Sequence, residues 1–361
     1  MTVVGDSPDP HEDLREALWA AAVDGDEYTA VGLVYTALDN GTPAEEVLLE
    51  VLARVQRRVG MEWAANRITV AQEHAATAIN DRVIAALAHH PSVRRPASAG
   101  RVTVACVDGE WHAMPARLLA EVLRLHGWQV DFLGAQVPTP HLISHINQHG
   151  PDVVALSCSI ATRLPTAHAA ITACHVAGAP VLVGGAAFGA DGRLAERLGA
   201  DAWAPDARSA VARLAQGFGP VRVAPTHQAV DDLPHLADQE YTMVRTSAGR
   251  LVQTTVSDLE QSIPAMRDYT AQQRQHTTED VAHIVDFLAT ALYTDDDELF
   301  TQFIGWTADI LDARGVPAAS LLPSLDSLAT QLAEFPRAQR LLGHARASLP
   351  VPLSADPKLP A

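Results

Sequence analysis

The sequence predicts an α/β plus all-α protein in three parts: an N-terminal bundle of four helices, a doubly wound parallel sheet, and a C-terminal helical domain. Three observations carry this. Apolar residues recur at helical spacing through the first ninety residues, strand-like and helix-like runs then alternate over about 120 residues, and a helical pattern returns after a proline-bearing segment. The 361 residues, 48% hydrophobic and 19% charged, suffice for more than one buried core and exclude wholesale disorder. The expected domains are 1–92, 100–222 and 238–350, with a linker at 223–237 and a tail at 351–361.

Leu14, Ala17, Leu18 and Ala21 mark the first helix, and residues 28–38 the second, stopped by Asn40-Gly41. Thr42 reads as the N-cap of a third helix with Pro43 at its first position, and Glu45 and Glu46 suit its positive dipole end. Val47, Leu48, Val51, Leu52 and Val55 form its apolar stripe. A fourth helix runs from about Thr69 to His89, and residues 91–100 form a linker. Strands are expected at 101–107, 128–132, 152–157, 180–183 and 201–203, with helices at 113–126, 139–148, 163–177 and 207–216. Ligands of such sheets bind beyond the carboxyl ends of the strands. Further helices are expected at about 258–275, 279–293, 297–314, 318–334 and 337–347. Asp295 with Glu298 reads as a capping box, and Gly315 with Pro317 as a stop. Residues 241–255 stay open, with 250–255 either a strand or an irregular lead-in.

Formal net charge is −17, and Lys358 is the only lysine. A duplex-binding protein needs a basic face, and no basic run appears, so direct nucleic-acid binding is not expected. No stretch of 18 uncharged apolar residues exists, so no membrane helix is expected, and the acidic residues 1–15 do not resemble a secretory signal. Cys106, Cys158 and Cys174 lack CxxC spacing, which argues against a disulfide framework or a zinc module. A reduced, cytoplasmic setting fits. The sixteen histidines decide nothing by number alone.

The most informative residues follow the first strand: Asp108-Gly109-Glu110-Trp111-His112. This places His112 on the ligand-binding edge, with Glu110 able to hydrogen-bond the imidazole nitrogen that faces away from a ligand. Ser157 and Gly184-Gly185 end later strands on that edge. Read locally, His112 is equally a metal ligand or a loop histidine capping a helix, and Gly184-Gly185 equally an ordinary turn.

The spacing Glu110-x-His112-x-x-Pro115, Ser157-x-Ser159, Gly184-Gly185 resembles the cobalamin-binding fold of the methionine synthase type, whose signature is Asp-x-His-x-x-Gly, Ser-x-Leu, Gly-Gly. The resemblance implies a flavodoxin-like sheet domain in which His112 is the lower cobalt ligand. It also implies that Gly109, Glu110 and Trp111 belong to that loop, and that the displaced nucleotide tail inserts beside Ser157 and Ser159, over Gly184 and Gly185. Pro115 and Ser159 depart from the signature's glycine and leucine.

In the bundle, Trp63, nine residues, then Glu73-His74 is similar to the helical cap of B12-dependent photoreceptors. That similarity implies that Trp63 packs on the adenosyl group of adenosylcobalamin, that Glu73 accepts hydrogen bonds from its sugar, and that His74 supports the pocket. Light-dependent repressors of that group carry an N-terminal helix-turn-helix domain, and a histidine directly after the cap tryptophan. This chain begins at the bundle and has Ala64 there. The expected function is light sensing through adenosylcobalamin by a light-dependent homo-oligomer with a downstream signalling partner. The alternatives are a corrinoid methyl carrier for a methyltransferase or a light-independent B12 sensor. The C-terminal helices resemble the globin-like domain of photocobilins. That resemblance implies a biliverdin, non-covalent because no cysteine lies beyond Cys174, with Tyr241, Arg245, Arg274, His276, His283 and Trp306 as contacts. A dimerising bundle is the other reading of this region.

Overall fold

In the computed structural model, which describes residues 9–93, 95–221 and 228–350, two of the N-terminal helices start at a short polar side chain that caps them, Asp26 and Thr69. α1 (Glu12–Val23) precedes α2 (Glu27–Asp39), whose first turn is capped by Asp26 accepting from the Thr29 N–H at 3.0 Å. α3 (Ala44–Glu46), a π-helical stretch Val47–Leu52 and α4 (Ala53–Ala64) are consecutive and bury the predicted stripe. Thr42 does not cap this run. Pro43 is the N-cap, and Thr42 N instead donates to Ala37 O at 3.0 Å, closing the preceding helix. α5 (Val70–His89) opens with a full capping box between Thr69 and Gln72.

The sheet is wholly parallel: β1 (Arg101–Cys106), β2 (Gln129–Gly134), β3 (Val153–Ser157), β4 (Val181–Gly184) and β5 (Ala202–Trp203), in the order β2-β1-β3-β4-β5. This is the flavodoxin-like order, with its switch point between β1 and β3. The crossovers are α6 (Met114–Leu125), α7 (Thr139–His149), α8 (Leu164–Val176) and the short α9 (Arg193–Arg197), which the sequence pattern did not announce; α10 (Ala207–Ala215) closes the unit. α6 belongs to two cores. Leu118 and Val122 pack with the bundle, while Ala116, Ala120 and Leu123 pack on the sheet.

The chain divides into two compact units, Met1–His227 and Gln228–Ala361. In the second, α11 (Glu240–Ser262), α12 (Ala271–Thr294), α13 (Asp297–Ala313), α14 (Leu322–Gln331) and α15 (Pro336–Ser348) are joined by short turns. Several expectations need correction here. Residues 241–255 are helix, neither strand nor lead-in. The helix expected at 258–275 is broken, because Pro264 lacks the N–H to continue it and starts a 3₁₀ turn, Pro264–Asp268. Residues 279–293 are the later stretch of one long helix. Asp296, not Asp295, caps α13, accepting from Leu299 N at 3.0 Å; Asp295 takes a left-handed φ of 48° at the end of α12. The linker expected at 223–237 forms, where it is described, a pair of 3₁₀ turns, Ala229–Asp232 and Pro234–Asp238, with Leu233 and Leu236 buried. The rest of that linker, residues 1–8 of the first domain and the tail at 351–361 lie outside the described residues. Among the described residues no helix is long and apolar enough to cross a membrane.

Candidate functional site

Parallel register brings three distant segments to one edge of the sheet. Cys106 is paired with Ser157, and Ser157 with Gly184. The loop after β1 therefore stands over the ends of β3 and β4, at the switch point.

That loop is organised around Glu110, which is 1% exposed. Its Oε1 accepts from His112 N at 2.8 Å and from His112 Nδ1 at 2.7 Å; its Oε2 accepts from Ser159 N at 2.7 Å and Ile160 N at 2.9 Å. Burial alone would raise the carboxyl pKa. The four donors, the His112 ring foremost, outweigh it and hold the group at about 2. The same hydrogen bond raises the pKa of His112 against burial, with the charges of Glu110 and Glu73 adding to it. With Nδ1 committed to Glu110, Nε2 is the nitrogen available to a ligand, and the His112 side chain is 59% exposed. Gly109 turns the loop at φ +76°, where a Cβ would approach the Arg163 guanidinium to 3.1 Å. Trp111 is exposed and Ser159 half-buried.

Beside the loop lies a cavity of about 360 Å³, lined by Ser157, Gly184 and Gly185 on the sheet side and by Leu49, Ala53 and Gln56 on the bundle side. Its surfaces fit the nucleotide tail of a corrinoid. The Ser157 Oγ is buried without a hydrogen-bond partner among the described residues, so the wall offers a polar atom to a guest. Gly185 sits at φ +101°, and a Cβ there would lie 2.2 Å from the Cys158 carbonyl oxygen, so no side chain can occupy this wall.

On the bundle, Trp63 is half-buried in the last turn of α4. Glu73, in the first turn of α5, is close enough for its charge to act on His112. The Glu73 Oε1 accepts from the Thr77 hydroxyl at 3.1 Å, and its Oε2 pairs with His74 Nδ1 at 2.6 Å. His74 itself is 75% exposed and also meets the Val70 carbonyl at 2.9 Å. Sequence reasoning missed three features of this region. These are the reach of Glu110 to Ser159 and Ile160, the left-handed Gln136 (φ 49°) whose N–H holds the Glu110 carbonyl at 3.0 Å, and the polar chain behind Glu73. A glutamine at positive φ carries no sequence signal. The polar chain has one, since Gln56 and Asn80 interrupt apolar stripes.

The C-terminal candidates do not converge. Arg245 pairs with Asp286 at 2.7 Å and Arg274 with Glu260 at 3.2 Å, across the α11–α12 hairpin. Residues 245 and 260 of α11 are roughly 22 Å apart along the helix. The two arginines thus sit at opposite ends of the hairpin and cannot hold neighbouring propionates of one pigment together. Tyr241 packs edge-on to Tyr293 at 4.9 Å, His276 and His283 are exposed, and Trp306 lies 6.4 Å from Phe303.

The first unit thus combines a flavodoxin-like sheet, a buried Glu110 that holds the exposed His112, a glycine-walled cavity and a helical bundle beside it, and its two parts match B12-binding domains. Residues 100–215 match the family model described as B12 binding domain, and residues 14–88 match a second model of that description. The chain is 36% identical over 183 residues to the HTH-type transcriptional repressor CarA of Myxococcus xanthus, covering 48% of this chain and 58% of that protein. It is 32% identical over 195 residues to the HTH-type transcriptional repressor CarH of the same organism, covering 52% and 63%. The matches thus span less than two thirds of either relative. The fold is shared with the monomethylamine corrinoid protein of Methanosarcina barkeri, at a TM-score of 0.50 and 22% identity over 57% of this chain and 99% of that one.

Proposed function

We propose that the first unit holds adenosylcobalamin and senses light with it. The observation that carries this reading is His112 at the sheet edge, its Nδ1 held by the buried Glu110 and its Nε2 available, next to a cavity walled by Gly184 and Gly185 and with the cap carboxylate Glu73 near enough for its charge to act on it. His112 would be the lower cobalt ligand, kept in one tautomer by Glu110. Ser157, Gly184 and Gly185 would enclose the tail, while Trp63 and Glu73 select the upper adenosyl group and His74 braces Glu73. When bound, the cofactor supplies a cobalt–carbon bond that visible light breaks. Losing the group beneath Trp63 would free the bundle to shift on the sheet domain through α6, which is shared by both cores. We take the output to be a change in self-association read by a downstream signalling protein in the cytoplasm, not an enzymatic turnover. Absorption spectra of the chain with adenosylcobalamin, in the dark and after green light, test this. A light-stable upper ligand would contradict it and favour the methyl carrier or a light-independent B12 sensor.

A biliverdin in the second unit completes the proposal, resting on its helical make-up and on the aromatic group of Phe287, Phe303 and Trp306. Titrating biliverdin into the full chain should produce a red absorption band, and acid denaturation should release the pigment. Without a red band, the unit is a dimerisation bundle.

A further inference from the structure

We infer that Thr77 and Gln56 are positioning residues that aim the Glu73 carboxylate and thereby set which upper ligand the cap admits; this rests on the adenosylcobalamin reading above. Behind Glu73 runs a single chain of hydrogen bonds across α4 and α5. The Thr77 hydroxyl lies 3.1 Å from Glu73 Oε1, Gln56 Nε2 lies 2.8 Å from the Thr77 hydroxyl, and Asn80 Nδ2 lies 2.8 Å from Gln56 Oε1.

Its direction is forced. A carboxylate only accepts, so Thr77 must donate to Glu73; its oxygen then accepts from the Gln56 amide N–H, which turns the Gln56 carbonyl to Asn80. Asn80 is wholly buried on α5, which anchors the inner end. Gln56 also lines the bundle side of the cavity, so the hydrogen-bond chain runs from there to the cap carboxylate. Glu73 has a competing partner in His74, 2.6 Å from its other oxygen and mostly exposed. Without the Thr77 donor, no other hydrogen bond of this network holds Oε1 among the described residues, and the carboxylate is left to follow the exposed imidazole. Hydrogen bonds to charged groups are the stronger kind, so losing this donor should move the carboxylate measurably.

The test measures dissociation constants for adenosyl-, methyl- and hydroxocobalamin on the full chain, with melting temperatures alongside. The variants are Thr77→Val, which keeps shape and removes the donor, Thr77→Ser, which restores it, and Gln56→Leu. We expect Thr77→Val to lose roughly tenfold of the adenosyl-over-methyl preference while hydroxocobalamin binding holds, Thr77→Ser to recover it, and Gln56→Leu, which also alters the cavity wall, to lose the same preference whatever its effect on affinity for all three forms. A melting temperature that falls with the preference unchanged would show that the chain is merely structural and overturn the inference, leaving the adenosylcobalamin reading intact. If the unaltered chain has no adenosyl preference, that reading fails and the inference with it.

Discussion

At the residue scale, the Glu110–His112 pair bears the most weight. Replacing His112 by Ala should abolish the His-ligated spectrum and weaken cobalamin binding. Glu110→Gln keeps the shape but loses the charge that orients the ring, and should cost about 10- to 100-fold in affinity, read by titration. Trp63→Ala should erode the adenosyl preference and leave hydroxocobalamin bound. The pair was legible because Glu110 and His112 are neighbours in sequence after a strand. That Oε2 of Glu110 also ties down Ser159 and Ile160 was not, since those partners lie some fifty residues away and meet only through strand register. The separation of Arg245 and Arg274 was not legible for the same reason, since a list of residues does not say which end of a hairpin each occupies.

At the element scale, caps and breakers explain both what could be read and what could not. Thr69 with Gln72 fixes the start of α5 and so places Glu73 in its first turn. Thr69→Ala should destabilise the first unit by about 0.5–2 kcal/mol, measured by denaturant unfolding, and loosen the cap before the sheet. Asp295 reads as the cap of α13 in the sequence, but its left-handed backbone ends α12 and leaves the cap to Asp296. Helix α11 was obscured by its Thr and Val residues, which suit strands. In the fold, Thr246 and Ser247 donate back to the Thr242 and Met243 carbonyls, and the apolar face of Val244, Leu251 and Leu259 is buried, so packing overrides propensity. The parallel sheet was legible almost whole, because alternating strand and helix periods admit few other topologies.

At the scale of the molecule, the first unit is two packed bodies joined by α6 and by a surface clasp. Glu45 of α3 accepts from His126 at 2.8 Å, at the end of α6, and from Arg208 at 3.0 Å, on α10; Arg208 also reaches Glu50 at 2.6 Å. Burial would raise the Glu45 pKa, but these bonds more than offset it and hold it below its ordinary 4.5. A depressed carboxyl pKa contributes stability above the unfolded value that is lost as pH falls through the folded one. Glu45→Gln should therefore lower the melting temperature above about pH 4.5, with the gap closing at lower pH. Movement of the bundle on the sheet must strain this clasp. Size-exclusion chromatography of the cofactor-loaded chain should therefore show different elution before and after green light.

The most direct measurement of the central claim is the absorption spectrum of the full chain loaded with adenosylcobalamin, recorded in the dark and after green light, for the unaltered protein and His112→Ala side by side. We predict a His-ligated dark spectrum that converts irreversibly on illumination, with the His-ligated form absent from the variant. Identical spectra for the two proteins, or a dark spectrum that light leaves unchanged, would contradict it.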